Sequence, residues 1–413
     1  MKSFLPLVRA EWRLLLFGFL MAFASSMGQT YFIGLFSGAI RDDLDLSHGD
    51  FGTLYSAATL ASALLLLWTG SLVDRMSLPR YACSVSLGLA LACWLMAATP
   101  NALILFFALF ALRHLGQGLM SLAGSTAMVR YLEHQKGKAN ALGGMGYSFS
   151  EALLPSLAIA LLALWGWRVS WVFWGALLVL LPPLVLWLLR GHRQRHDAYL
   201  ASINHGPAGD ETRQQRQWRR DEVIRDPNFY LFLPALLAQP LLFTGFMFHQ
   251  VQLVDEKGWS FAAWGGLYLF YALISTLCKL LAGLVVDRYG AVRLVPLVCL
   301  PLGAGLLGLS TGDSFLLAIL FMGLMGVSVG FYSTLSSPFF AEMYGTLHLG
   351  SIKSLTTAAM VFATAIAPVL MGWLIDHGTS MDSMALGGVL YTLAASALAA
   401  WAFYLRTPPS ASN

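Results

Sequence analysis

The chain has 413 residues, 57% of them hydrophobic and 11% charged, with 25 Lys and Arg against 21 Asp and Glu and a formal net charge of +4. A soluble domain carries about 25% charged residues, so a water-soluble globule of this size is excluded. The small positive excess collects at one set of chain turns and reflects topology, which leaves a nucleic-acid interface without support.

In chain order, stretches without Asp, Glu, Lys or Arg run from Leu14 to Ile40, Phe51 to Val73, Tyr81 to Leu112, Val169 to Leu189, Ser314 to Ala341, Ser354 to Ile375 and Met384 to Leu405. Each can cross a hydrocarbon core about 30 Å thick, which takes roughly 20 helical residues. Most are apolar on every side, which excludes the alternating pattern of a membrane barrel. They predict helices over 13–39, 50–73, 80–99, 101–130, 137–164, 168–190, 228–253, 261–286, 293–311, 314–342, 348–376 and 383–405. The first run follows Lys2, Arg9 and Arg13; it is too long for a signal-peptide core and lacks a small-residue cleavage site, so a retained helix is expected. The expectation is an all-α membrane protein of twelve transmembrane helices in two six-helix bundles, 1–190 and 228–413.

Between them, 191–227 is polar, and Asp210 can cap a short surface helix carrying Arg213, Arg216, Arg219 and Arg220 before Asp226-Pro227 ends it. Basic and acidic residues nearly balance there, which favours a plain cytoplasmic linker over a lipid-regulatory segment. Of the 25 basic residues, about 20 fall on the side of both termini; only Arg41, Arg168 and Lys257 fall opposite, and Arg113 and Lys279 lie within helices. The positive-inside bias then puts both termini in the cytoplasm. Cys83, Cys93, Cys278 and Cys299 sit in apolar segments and read as small packing residues. Gly303-Ala-Gly305-Leu-Leu-Gly308 fits a dinucleotide fingerprint on paper, but it lies inside an apolar helix and reads as a close-packing stripe. No Walker-type loop, metal cluster or other cofactor motif is present.

Sliding the sequence against itself by 213 residues pairs Gly52 with Gly265, Tyr55 with Tyr268, Gly70 with Gly283, Asp74 with Asp287, Arg75 with Arg288, Arg80 with Arg293, Tyr131 with Tyr344 and Pro155 with Pro368, without a gap. The halves are therefore repeats, and an even number of crossings makes them parallel. Gly283-Leu-Val-Val-Asp287-Arg288-Tyr-Gly290-Ala-Val-Arg293 and Gly70-Ser-Leu-Val-Asp74-Arg75-Met-Ser77-Leu-Pro-Arg80 resemble the cytoplasmic motif of the major facilitator superfamily, with Ser77 in place of its second glycine. Arg113-His-Leu-Gly116-Gln117-Gly118 resembles the family's helix-four motif, and Gly143-Gly144-Met-Gly146 with Pro155 a looser helix-five signature.

The resemblance implies a multi-pass bacterial inner-membrane transporter, expected as a monomer surrounded by lipid, with Gly70, Asp74, Arg75, Arg80, Gly283, Asp287, Arg288 and Arg293 latching loops to helix ends. The step from Lys279 to Gly283 is similar to the monocarboxylate and oxalate/formate branch, where a cation at that place contacts a carboxylate; that branch has Arg followed by Pro, whereas this chain has Lys279-Leu280.

Three charges remain well inside helices: Arg113, Glu151 and Lys279. Each costs about 2.5–3.5 kcal/mol at the bilayer centre unless it faces a cavity or a partner. In the other half, Leu66, Gly326 and Thr364 stand at the positions matching Lys279, Arg113 and Glu151, so the fold does not require the charges. By helical rise, Arg113 lies roughly 18 Å and Glu151 roughly 20 Å from their helix ends, deep enough to meet. The three sum to +1 or, with Glu151 protonated, +2, which favours an anionic substrate. The expectation is a proton-coupled carrier of a small organic anion, with Lys279 and Arg113 attracting it, Glu151 handling protons, and Gln29, Tyr271 and His249 lining a polar cavity. A proton-driven exporter of lipophilic compounds is the rival reading. A nontransporting sensor or a lipid-modifying enzyme is more remote, since no nucleophile–base pair is evident.

Overall fold

A computed structural model describes residues 5–70, 72–132, 136–195, 218–345 and 349–406, and every element among them is helical. The principal helices are α1 (Leu5–Ala24), α2 (His48–Thr69), α3 (Leu78–Ala97), α4 (Ala102–Leu112), α5 (Lys136–Leu178), α6 (Leu181–Leu188), α7 (Pro227–Phe248), α8 (Phe261–Tyr289), α9 (Ala291–Val298, continued by Leu300–Ser310), α10 (Phe315–Tyr344), α11 (Leu349–Asp376) and α12 (Met381–Arg406). Nine spans among the described residues are long and apolar enough to cross a membrane. One of them, Ala139–Leu188, has 50 residues and turns at Gly166, where φ is +74°. That value is open to glycine at no steric cost, so the predicted helices five and six are two helices that meet at a tight turn on this residue. Counting that span twice and adding the broken first crossing and α2 gives the twelve helices expected.

Side chains start these helices where the sequence signals it. Asn101 accepts the Ile104 N–H at 3.1 Å, Ser260 that of Ala263 at 3.3 Å, and Asp226 that of Asn228 at 3.0 Å, each satisfying a donor left free in a first helical turn. The first crossing differs from the unbroken 13–39 helix predicted. After α1 comes a 3₁₀ turn, Ser25–Gly28, then Gln29 in extended conformation (φ −84°, ψ 149°), and helix resumes at Thr30. Serine side chains compete for backbone partners, and the Ser25 hydroxyl donates to the Ala22 carbonyl at 2.7 Å.

The chain divides into two compact units, Met1–Leu46 with Thr53–Thr212, and Ser47–Gly52 with Arg213–Asn413. In the first, α5 packs along α1 through Gly146, where a Cβ would overlap the Phe19 carbonyl. In the second, the buried core gathers Phe232, Leu335, Phe339, Met343 and Ile352 from α7, α10 and α11. Gly303 lets α9 approach α12 so closely that a Cβ there would overlap Thr392, which is the packing role expected of that stripe. The linker's predicted surface helix falls mostly outside the described residues. Its end does not: the Trp218 N–H donates to the Tyr344 carbonyl at 3.0 Å, and the Tyr344 hydroxyl donates to Asp226 at 3.0 Å.

Two helix starts are completed by carboxylates from distant helices. Glu342 of α10 accepts the Ala291 N–H at 2.8 Å and the Val292 N–H at 3.1 Å at the head of α9. Asp376 of α11 accepts the His48 and Gly49 N–H groups at 3.1 and 2.7 Å at the head of α2. A carboxylate there also complements the positive end of the helix dipole.

The carboxyl ends of α3 and α9 are matched positions of the repeat, since Ala97 pairs with Ser310 at the 213-residue offset. Both are held by a cation, though by different residues. Arg168 donates to the Ala97 and Thr99 carbonyls at 2.9 and 2.7 Å and pairs with Asp43 at 2.6 Å. Lys257 donates to the Leu309 and Gly312 carbonyls at 2.8 and 2.9 Å and pairs with Asp313 and Asp382.

The sequence treats Lys257 as a loop charge; in the structure its side chain is 1% exposed. Burial alone pulls the ammonium pKa down, but its bonds to Asp382 and Asp313 more than offset this, so the pKa stands above the ordinary lysine value. Lys257→Met is expected to lower stability by about 2 kcal/mol, less than a sealed ion pair because Asp313 can return to water. A raised folded pKa contributes stability that is complete below the unfolded value and is lost only as pH rises through the folded one. The loss in thermal midpoint on Lys257→Met should therefore be the same at pH 6 and pH 9.

Candidate functional site

The break in the first crossing frees the Gly28 carbonyl, and Arg113 takes it. Arg113 opens a π-helical stretch, Arg113–Met120, that follows α4; such stretches are rare and concentrate at functional sites. The two irregular segments cross backbone to backbone. A Cβ on Gly28 would overlap the Leu112 carbonyl, and one on Gly116 would lie 2.9 Å from the Gly28 Cα.

From this crossing the guanidinium, 3% exposed, donates through Nη1 to the Gly28 carbonyl at 2.9 Å and to Thr30 Oγ1 at 3.4 Å, and through Nε to Thr59 Oγ1 at 3.1 Å. It lies over the Tyr55 ring, 5.1 Å from the centroid, and the Tyr55 hydroxyl donates to Thr30 at 2.7 Å. Among the described residues every hydrogen-bond acceptor of this cation is neutral, and its Nη2 donors are not used. A buried guanidinium without a carboxylate is costly unless an anion arrives.

The second half shows what the fold needs without the cation. At the positions matching Arg113, Gly28, Thr30 and Thr59 stand Gly326, Leu241, Phe243 and Ala272. The charge and its polar partners are absent there together. Tyr55 alone is kept, as Tyr268, whose hydroxyl donates to Gln250 at 2.7 Å.

Glu151 lies five residues beyond Gly146 on α5, half-buried, within electrostatic reach of Tyr31 and Tyr147. Beside it, Ser26 donates to Ser150 at 2.5 Å, and the Tyr31 hydroxyl donates to Ser150 at 3.4 Å. The sequence places Arg113 and Glu151 at similar depth; the structure gives the first neutral acceptors and the second a tyrosine and serine setting. Gln29 is the half-buried residue at the break itself.

In the second unit, His249 occupies a break after α7 (φ −94°, ψ 23°), the repeat counterpart of the break at Phe36 (φ −95°, ψ −1°). Its Nε2 donates to the Pro368 carbonyl at 2.9 Å, and its ring packs on Phe248. Tyr271 is 1% exposed, with its ring 6.1 Å from that of Phe243. Lys279 is half-buried on α8, and its carbonyl accepts from Thr334 of α10 at 3.4 Å.

Of the latch residues, Arg80, Arg288 and Arg293 are exposed, and Arg288 lies over the Tyr289 ring at 5.3 Å. Gly70 closes α2, and Gly283 has open space beside it. The side chains of Asp74, Arg75 and Asp287 lie outside what the structure describes.

Sequence reasoning missed Thr30, Thr59 and Tyr55 as the setting of Arg113. It also missed His114, next on the π-helical stretch, which is 6% exposed and hydrogen-bonds through its ring nitrogens with Thr69 Oγ1 at 3.2 Å and the Ser62 carbonyl at 3.3 Å. The joint loss of Arg113, Thr30 and Thr59 in the second half is a signal that could have found the first two.

The Major Facilitator Superfamily profile matches residues 18–310 and again 251–413. Solved structures agree in fold. The nucleoside transporter NupG superposes with a TM-score of 0.68 at 13% identity, covering 96% of this chain and 99% of that one. A bacterial homologue of the human lysosomal transporter Spinster, inward-facing and unoccupied, superposes with a TM-score of 0.67 at 12% identity, covering 96% and 98%. No curated protein matches by sequence.

Proposed function

Since the chain belongs to the Major Facilitator Superfamily, a family of secondary transporters and not of enzymes, we propose that it carries a small organic anion across a bacterial inner membrane by alternating access, coupled to protons, with both termini cytoplasmic. The observation that carries this reading is the buried Arg113, held by neutral partners that the second half lacks along with the cation. Its unused Nη2 donors can give a carboxylate charge-assisted hydrogen bonds. Lys279 is proposed as a second cation contact, and Gln29, Tyr271 and His249 as further polar contacts.

Glu151 carries the proton. A half-buried carboxylate beside hydroxyls changes protonation when its access to water changes, and Tyr31 and Ser150 are placed to shape that change. The glycine–aspartate–arginine turns serve as the latch.

The test is uptake into vesicles of a panel of mono-, di- and tricarboxylates, neutral nucleosides and lipophilic drugs, with and without an imposed pH gradient. Carboxylate uptake that follows the gradient is expected. Glu151→Gln should abolish the response to the gradient while leaving exchange of labelled for unlabelled substrate intact. Gradient-independent uptake, with Glu151→Gln fully active, would remove the coupling. Movement of lipophilic compounds alone would replace the anion reading with an exporter.

A further inference from the structure

At the end of the first unit that carries the amino terminus, two cavities of about 440 and 530 Å³ share walls at Leu189, Gly191 and His192. Arg13, Arg190 and Arg195 line the first, with Glu11 as its single acid; Arg80 and Arg193 line the second, which has none. Arg195 neutralises Glu11 at 2.6 Å. Among the described residues no carboxylate pairs with Arg13, Arg80, Arg190 or Arg193, and the described lining carries a charge of +4.

Local geometry makes this a basin and not a scatter of surface charges. Gly191, at φ +78°, turns the chain sharply after α6 and directs the next residues back against α1 and α3. His192, 6% exposed, anchors the turn with its ring 4.6 Å from that of Tyr131. Trp12 lines the first cavity, and Trp187 packs against it with ring centroids 5.7 Å apart, the two being 41% and 39% exposed. The Arg13 guanidinium lies over both, at 5.5 and 5.7 Å. Exposed tryptophans mark headgroup depth in a bilayer. A basic cavity at that depth is built for a phosphate diester that stays in the membrane.

We infer that this basin binds the phosphate of an anionic phospholipid headgroup, with Arg13, Arg190 and Arg193 as its main contacts and Trp12 and Trp187 seating the glycerol and upper acyl chain. Arginines that only fix topology need no shared cavity; these surround one. None of its residues takes part in the proposed substrate or proton contacts; Arg80 alone is shared with the latch and is left unsubstituted in the test, so the lipid site and the transport reading fail separately.

The test titrates the purified full-length protein in neutral detergent with phosphatidylglycerol, phosphatidylcholine of the same chain length, glycerol 3-phosphate and inorganic phosphate, following bound lipid by native mass spectrometry and the thermal midpoint. Phosphatidylglycerol should bind and stabilise, and phosphatidylcholine should not. Binding should weaken about fivefold for each of Arg13→Gln, Arg190→Gln and Arg193→Gln, and stay unchanged in Arg220→Gln on the second unit. If a variant fails to fold, brominated phosphatidylglycerol still reports on the wild-type basin, by quenching fluorescence that Trp12→Phe and Trp187→Phe remove. Equal stabilisation by soluble phosphates would overturn the lipid source. Binding that survives all three arginine substitutions, or quenching that spares both tryptophans, would overturn the site.

Discussion

Replacing Arg113 with methionine is expected to reduce anion transport by at least about 100-fold, the loss of two charge-assisted hydrogen bonds at roughly 1.5 kcal/mol each, and to leave the protein folded. The second expectation separates a binding role from a structural one. Removing one partner of a buried ion pair is destabilising, but removing a buried charge that has no counter-ion recovers its desolvation cost, and this offsets the hydrogen bonds lost at neutral acceptors. The guanidinium is held by the Gly28 carbonyl, Thr30 and Thr59, and the second half packs the same place with Leu241, Phe243 and Ala272. Arg113→Met should therefore keep or raise the thermal midpoint while ligand stabilisation by carboxylates disappears. Arg113→Lys keeps the charge but, with three donors in place of five, cannot hold Gly28, Thr30 and Thr59 and still offer two to the substrate, so weak, low-affinity transport is expected from it. Full transport by Arg113→Met would return Arg113 to a structural role. A collapse in stability together with transport would do the same.

The largest stability effect is expected from Gly28→Ala. Most added methyl groups in a packed interior meet side-chain tips that can move. Here the neighbours are backbone on every side: the Leu112 carbonyl, the Gln117 nitrogen at 2.7 Å and the Gly116 Cα at 2.9 Å. Relief requires separating the two chain segments, at a cost of about 3 kcal/mol or more, and with it the alignment of Gly28 with Arg113. Gly144→Ala is the matched control, since nothing lies within 4 Å of a Cβ there, and a helical glycine replaced by alanine gains up to ~1 kcal/mol. Thermal midpoints in detergent should move in opposite directions. A Gly28→Ala protein as stable as the wild type would show that the crossing is not rigid.

The architecture was legible because membrane helices announce themselves by what they lack: long gaps in charge set the spans, and matched Asp-Arg turns at one offset set the repeat. The positions of Arg113, Glu151 and Lys279 were legible for the same reason, as charges where the other half has none. Breaks in helices were not. Gln29 and the π-helical stretch arise from a crossing between segments some 85 residues apart, and no local pattern encodes such a meeting. Lys257 and Arg168 were read as loop charges because their acceptors are carbonyls at distant helix ends, which side-chain identity does not reveal. Glu342 and Asp376 went unremarked because an acid at a helix end is ordinarily solvated, and only the neighbouring helix start shows what each one caps.

The cap on α2 also has a consequence in time. His48 and Gly49 wait for Asp376, which lies 328 residues downstream of His48; at a synthesis rate of about 5–20 residues per second, the wait is roughly 15 to 65 seconds. Until then Ser47 and Asp50, bonded to each other's backbone at 3.2 and 3.0 Å, hold the start of α2 as a provisional cap beside water. The ribosome has made most of the chain before this early helix is finished, so a nascent chain stalled short of α11 would carry an incomplete head on α2, a place where quality-control proteases and insertion factors could tell finished chains from unfinished ones.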